Sequence, residues 1–157
     1  KRQKLLLYIK NNYQLIEGDK LTENTNINTL SAYNHVKMWQ KALETELGQG
    51  AFFVEDSITL FDNWKCIIQE FINNKNPKVV KFIAKPERFF DNSDDIKFFD
   101  CWGPFGMKGY YLSTDVIKHC VNYFKNNTLN KPFELELANI LQKFYKEIYS
   151  SFPKIGL

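Results

Sequence analysis

Apolar positions recur along this chain in two rhythms, at helical spacing in some stretches and in short dense runs in others, and each rhythm predicts a different element. The dense runs Ala51-Phe52-Phe53-Val54, residues 79–84 (Val79-Val80-Lys81-Phe82-Ile83-Ala84) and residues 109–113 (Gly109-Tyr110-Tyr111-Leu112-Ser113) read as strands. The helical rhythm predicts a helix over 32–47, with Ser31 as N-cap, a buried stripe of Val36, Trp39 and Leu43, and Gly48 and Gly50 as its stop. A second helix is expected over 62–74, with Asp62 as N-cap, Trp64, Ile67, Ile68, Phe71 and Ile72 inward, and Asn73-Asn74-Lys75-Asn76-Pro77 closing it. Ser113 or Thr114 caps a third, to about residue 125, with Val116, Ile117, Cys120 and Phe124 inside. Pro132 opens a last one over 133–149, carrying Leu137, Ile140, Leu141, Phe144 and Ile148.

Residues 3–13 read as a short amphipathic helix, and 14–30, rich in Asn and Thr around Gly18, as a loop with a short strand at 14–17. Residues 86–108 form an irregular region. Strands alternating with helices predict the α/β class, a mixed, mostly parallel sheet with helices on both faces. Strand 51–54 should be central, because all its residues are apolar and central parallel strands are buried on both sides.

Composition narrows the class. The chain has 157 residues, read as a single domain over 1–157, and its 44% hydrophobic and 16% aromatic content belongs to a folded globule. A net charge of +3 is spread along the chain apart from Lys1, Arg2 and Lys4, so no polybasic stripe marks a duplex-binding face. Cys66, Cys101 and Cys120 form no Cys-x-x-Cys pair, which argues against a zinc site and a disulfide framework. Cys66 and Cys120 fall within expected helices as buried free thiols, and a cytoplasmic location is the simplest expectation. No apolar run approaches the roughly 18 residues of a membrane span, and the start is too short in its apolar part for a signal peptide. The absent initiator Met is expected of an excised or processed chain.

Candidate chemistry begins where strand 51–54 runs into Glu55-Asp56-Ser57. Open α/β sheets hold ligands at the carboxyl ends of their strands, and two hard-oxygen side chains there suit a divalent cation; a strand passing into an acidic turn is the other reading. The segment Trp102-Gly103-Pro104-Phe105-Gly106 is a shaped loop with two aromatic faces, suited to a sugar ring or base, or else a surface loop packing its own aromatics. Asp94 and Asp95 fall in the irregular region, as binding-loop or solvated acids.

Four segments, in order, resemble the lipopolysaccharide-type glycosyltransferases of family 25, which include the collagen galactosyltransferases. The stretch from Ser31 to Leu43, with Asn34-His35 ahead of Trp39 and Ala42-Leu43, resembles the family's Ser-His helix. Ala51 to Asp56 resembles its strand ending in Glu-Asp-Asp, and Gly109-Tyr110-Tyr111-Leu112-Ser113 its Tyr-x-x-Ser segment before a helix. Lys131-Pro132-Phe133-Glu134 resembles its Pro-x-Asp element, and Tyr149 to Ile155 its trailing aromatic-Pro stretch. The match covers about 31–157, with three departures: Ser57 replaces the last acid, Asn34 the Ser before His, and Glu134 the Asp. The family's N-terminal strand, ending in Asp-Arg, is not matched beyond Lys1-Arg2, as expected of a fragment, a minimal enzyme or a non-catalytic relative.

The resemblance implies a nucleotide-sugar glycosyltransferase-like fold (type A) and transfer of a sugar from a nucleotide-sugar donor to a hydroxyl acceptor on a glycan, a protein or a modified DNA base. It implies Mn²⁺ or Mg²⁺ held by Asp56 with Glu55, the ion stabilising the departing diphosphate, and His35 beside the donor; next to Val36 of the buried stripe, His35 also reads, and by its residues slightly better, as a core or capping histidine. Glu134 is its candidate base, although a helix N-terminus lowers a carboxylate's pKa and capping alone explains an acid there. Trp102, Phe105 and Tyr110 are expected to face the acceptor. The competing readings are a non-catalytic nucleotide- or carbohydrate-binding module and, less favoured by the charge distribution, a nucleic-acid-binding one.

Overall fold

The computed structural model describes residues 4–9, 12–17, 27–55, 58, 60, 62–82, 97–100 and 108–152. Among the described residues, seven strands form one sheet in the order β2-β1-β3-β6-β4-β7-β5. They are β1 (Lys4–Ile9), β2 (Asn12–Glu17), β3 (Gly50–Glu55), β4 (Val79–Lys81), β5 (Lys97–Asp100), β6 (Gly109–Ser113) and β7 (Ile148–Phe152). Four α-helices accompany them: α1 (Ile27–Leu43), α2 (Trp64–Lys75), α3 (Thr114–Asn126) and α4 (Phe133–Leu141).

The sheet is mixed, as expected, but it is not mostly parallel: β4 and β7 are its parallel pair, and every other neighbour pairing is antiparallel. Strand β3 is interior, between β1 and β6, and runs opposite to both. Its burial fits the expectation; its parallel neighbours do not exist.

Successive residues of a strand face opposite sides, and here both sides are covered. Ala51 and Phe53 of β3, Tyr110 and Leu112 of β6, Val79 of β4 and Ile148 of β7 share one core with α1, α3 and α4. Phe52, Val54, Tyr111, Val80 and Phe82 share the other with Trp64, Ile68 and Ile72 of α2. The interior strands are therefore apolar at consecutive positions, which makes them readable as unbroken runs.

Several expected elements are corrected. In place of the helix expected over 3–13, the described residues Lys4–Ile9 and those from Asn12 to Glu17 are strands: β1 and β2 pair antiparallel from Lys4↔Glu17 to Ile9↔Asn12. The run Leu5-Leu6-Leu7-Tyr8-Ile9 is five apolar residues long, too short for a stable helix and long enough for a strand. Helix α1 begins at Ile27, so Ser31 is interior to it and caps nothing. Its buried stripe is Ala32, Asn34, His35, Met38, Trp39 and Ala42, and the expected one missed that face because two of its members are polar.

Helix α2 starts with Asn63, not Asp62, at its N-cap position and without a side-chain capping hydrogen bond, and it closes on Asn76 in the left-handed conformation, whose N–H reaches Ile72 O at 2.8 Å. The expected helix 133–149 stops at Leu141 and continues as a 3-10 turn over Gln142–Glu147 into β7. Ile148 is buried as expected, through the sheet face. Strand β5 falls inside the region read as irregular, and residues 83–84 of the expected strand 79–84 lie outside the described residues. Cys120 is buried as anticipated, and burial pushes its thiol up to about 12; Cys66, expected to be buried, is exposed on α2.

Gly50 carries a packing requirement. A Cβ there would lie 2.2 Å from Leu112 O and 2.8 Å from Ser113 Cα, both backbone atoms of the neighbouring strand. Gly50→Ala is therefore expected to force β3 and β6 apart and destabilise the protein by about 2 kcal/mol, read as a lower midpoint in urea denaturation.

Candidate functional site

Strands β3, β4 and β7 run in one direction and end at one edge of the sheet, where the antiparallel β6 begins. Along that edge the residues that take the side of α1 are Glu55, Tyr110, Lys81 and Ser150, in neighbouring strands: Lys81 is level with Tyr110 on one side and Ser150 on the other. This row of polar side chains replaces the apolar ones farther along each strand. Glu55 is half-buried, and Tyr110, Lys81 and Ser150 are buried.

Helix α1 lays His35 over this row. Nδ1 of His35 lies 2.6 Å from the Tyr110 hydroxyl, and Nε2 lies 3.5 Å from Glu55 Oε1. Trp39, one helical turn on, donates Nε1–H to the same Tyr110 oxygen at 3.0 Å. Phe133, at the start of α4, stacks on the imidazole with centroids 5.0 Å apart and planes 24° from parallel. The result is a sealed polar chain from Trp39 through Tyr110 and His35 to Glu55, whose side chain is 16% exposed against 2% for His35. Burial pushes the Tyr110 hydroxyl well above the usual phenol range, opposed by the Trp39 hydrogen bond and reinforced by the Glu55 charge. It remains an O–H group at any ordinary pH.

The expected site residues fare differently. His35 and Glu55 are brought together. Tyr110, expected to face the acceptor, is instead fully buried, because its strand parity points it into the α1 core. Glu134 is exposed on the first turn of α4 and, among the described residues, makes no hydrogen bond or ion pair with the row; its neighbour Phe133 supplies the contact. Asp56 and Ser57, the loop residues Trp102 and Phe105, and Asp94 and Asp95 lie outside the described residues. No group of three or more His, Cys, Asp or Glu able to hold a metal ion occurs among the described residues.

Trp39 was expected in the core, but not as a hydrogen-bond donor; Lys81 and Ser150 were not singled out, and Asn34, met only as a departure from the family's Ser, was not expected to be buried. For Lys81 a signal existed: a lysine flanked by Val80 and Phe82 in a strand apolar on both faces has to be buried, and a buried ammonium is paired. No helix among the described residues is long and apolar enough to cross a membrane. No family model, curated protein or solved structure matches this chain.

The two adjacent tyrosines should respond oppositely to loss of the hydroxyl. Tyr110→Phe strips a partner from both His35 Nδ1 and Trp39 Nε1 and should cost about 2–3 kcal/mol. The Tyr111 hydroxyl, on the other face, is buried with no hydrogen-bond partner among the described residues. Tyr111→Phe should therefore leave stability unchanged or raise it by up to about 1 kcal/mol, measured by the same chemical denaturation.

Proposed function

We propose that this chain is a nucleotide-sugar glycosyltransferase domain that moves a sugar from a nucleotide donor to a hydroxyl acceptor with the help of a divalent cation. One observation carries the reading. The four segments of its family resemblance, far apart in sequence, supply the four residues that meet around one imidazole: His35 itself, Glu55, Tyr110 and Phe133. They meet at the sheet edge where strand carboxyl ends gather, the usual ligand position in α/β sheets.

Glu55 presents hard oxygen atoms there, held from behind by His35, and Asp56 follows it in sequence. Such donors fit Mn²⁺ or Mg²⁺, with Asp56 as ligand and Glu55 as its support. The cation would supply neutralisation of the charge that builds on the departing diphosphate. Trp102 and Phe105 are proposed to face the acceptor in place of Tyr110. The free thiols Cys66 and Cys120 suit a reducing, cytoplasmic setting.

A non-catalytic nucleotide- or sugar-binding module is the second reading. It is favoured by the isolation of Glu134, which leaves the base role without a partner at the row.

Nucleoside diphosphates and Mn²⁺, screened singly and together by thermal denaturation, test the donor site. At ligand about 100-fold above Kd the expected stabilisation is about 2.7 kcal/mol, or roughly 5–10 °C for a chain of this size. It should require both components and vanish in Asp56→Asn. If Asp56→Asn binds as well as the parent, the cation is held elsewhere. Trp102→Ala should lower turnover of a nucleotide sugar with little change in donor affinity; binding without any turnover of a panel of nucleotide sugars favours the module reading.

A further inference from the structure

The buried chain of hydrogen bonds determines where its protons sit. Indole Nε1 can only donate, so the Tyr110 oxygen accepts from Trp39. Held as O–H by its burial, Tyr110 then has one proton to give, and the hydrogen-bond acceptor within reach is His35 Nδ1 at 2.6 Å. A neutral imidazole that accepts at Nδ1 carries its proton at Nε2. That nitrogen faces Glu55 Oε1 across 3.5 Å. The opposite tautomer would set two donors against each other at Nδ1 and place a lone pair against the carboxylate.

From this we infer that Tyr110 is a positioning residue: its hydroxyl, oriented by Trp39, holds His35 as the Nε2–H tautomer and thereby turns an N–H toward Glu55. Stacking against Phe133 and the tilted contact with Trp39, at 6.1 Å between centroids, limit ring rotation. One Glu55 oxygen thus faces the imidazole N–H across 3.5 Å, which biases the orientation of the carboxylate for a ligand arriving at the sheet edge. That last step rests on the donor-site reading proposed above; the tautomer does not.

The chain has two histidines, so its imidazole spectrum is readily assigned with His119→Gln as reference. Long-range ¹H–¹⁵N correlation spectra, recorded well above the ordinary imidazole pKa, should show His35 protonated at Nε2 in the parent protein. Trp39→Phe leaves the Tyr110 donor in place and should keep this tautomer. Tyr110→Phe should give a mixture and should weaken Mn²⁺-dependent binding of a nucleoside diphosphate about 10- to 100-fold, the usual cost of losing an outer-shell partner.

An Nδ1–H tautomer in the parent overturns the inference, as does a folded Tyr110→Phe protein with an unchanged His35 spectrum or undiminished binding. A parent that shows the Nε2–H tautomer yet binds no nucleoside diphosphate supports the wiring and overturns the donor-site reading alone. If Tyr110→Phe does not fold, the parent and Trp39→Phe spectra still decide the matter.

Discussion

The fold depends on two strands, β3 and β6, being buried on both faces while lying side by side. Each contributes residues to two cores at once, Phe53 and Tyr110 to one and Phe52 and Tyr111 to the other. Cross-strand pairs lock these together: Phe53 opposite Tyr110 and Phe52 opposite Tyr111, with ring centroids 5.2 and 5.4 Å apart. A one-residue slip would exchange the contents of the two cores, so the register is fixed from both sides. Close approach at Gly50 follows from the same pairing, because Tyr111 and the β6 backbone occupy the space a side chain would take.

Burial on both faces leaves no inexpensive place for a polar atom. Water cannot satisfy a hydroxyl or imidazole there, so each needs a protein partner. His35, Tyr110 and Trp39 meet that condition by closing on one another, and the chain they form ends at Glu55, the one member with appreciable exposure. Tyr111 fails it, and its orphan hydroxyl shows that apolar contact around the ring is sufficient to hold that side chain in place. The contrast between neighbours in sequence separates a polar atom that the structure uses from one that it merely tolerates.

Much of this was legible where a single period dominated. The run at 51–54 declared a doubly buried strand and that at 109–113 a strand, and α2 and α3 followed from helical spacing with Trp64, Ile68 and Ile72, or Val116, Ile117 and Cys120, inside. Parity and partner were harder. No local pattern distinguishes a parallel neighbour from an antiparallel one, so the direction of β6 against β3 was lost. The N-terminal hairpin was hidden because a five-residue apolar run fits either period, and β7 because Ile148 continues the spacing of α4 by coincidence. In α1 the buried stripe includes Asn34 and His35, whose polarity disguised the face that turns inward. At the candidate site, the motifs named His35, Glu55 and Tyr110 without showing that they meet, because only strand parity, invisible to a motif, turns Tyr110 into the core beneath His35.

The direction of β6 has a consequence for the site itself. In a purely parallel arrangement each strand would contribute only its last residues to that edge of the sheet. Because β6 runs the other way, it enters at that edge, and its second residue, Tyr110, lies level with Phe53 and Lys81 of its neighbours. A tyrosine at that height spans the depth between the apolar core and the polar row. Its ring packs on Phe53 while its hydroxyl reaches the helix above, which carries His35 and Trp39 one turn apart. The antiparallel strand thus gives the carboxylate at the end of β3 a rigid support built from the core rather than from a loop. Side chains backed by packed elements keep their geometry better than side chains resting on loops alone, and here that backing runs from Phe53 through Tyr110 and His35 toward Glu55.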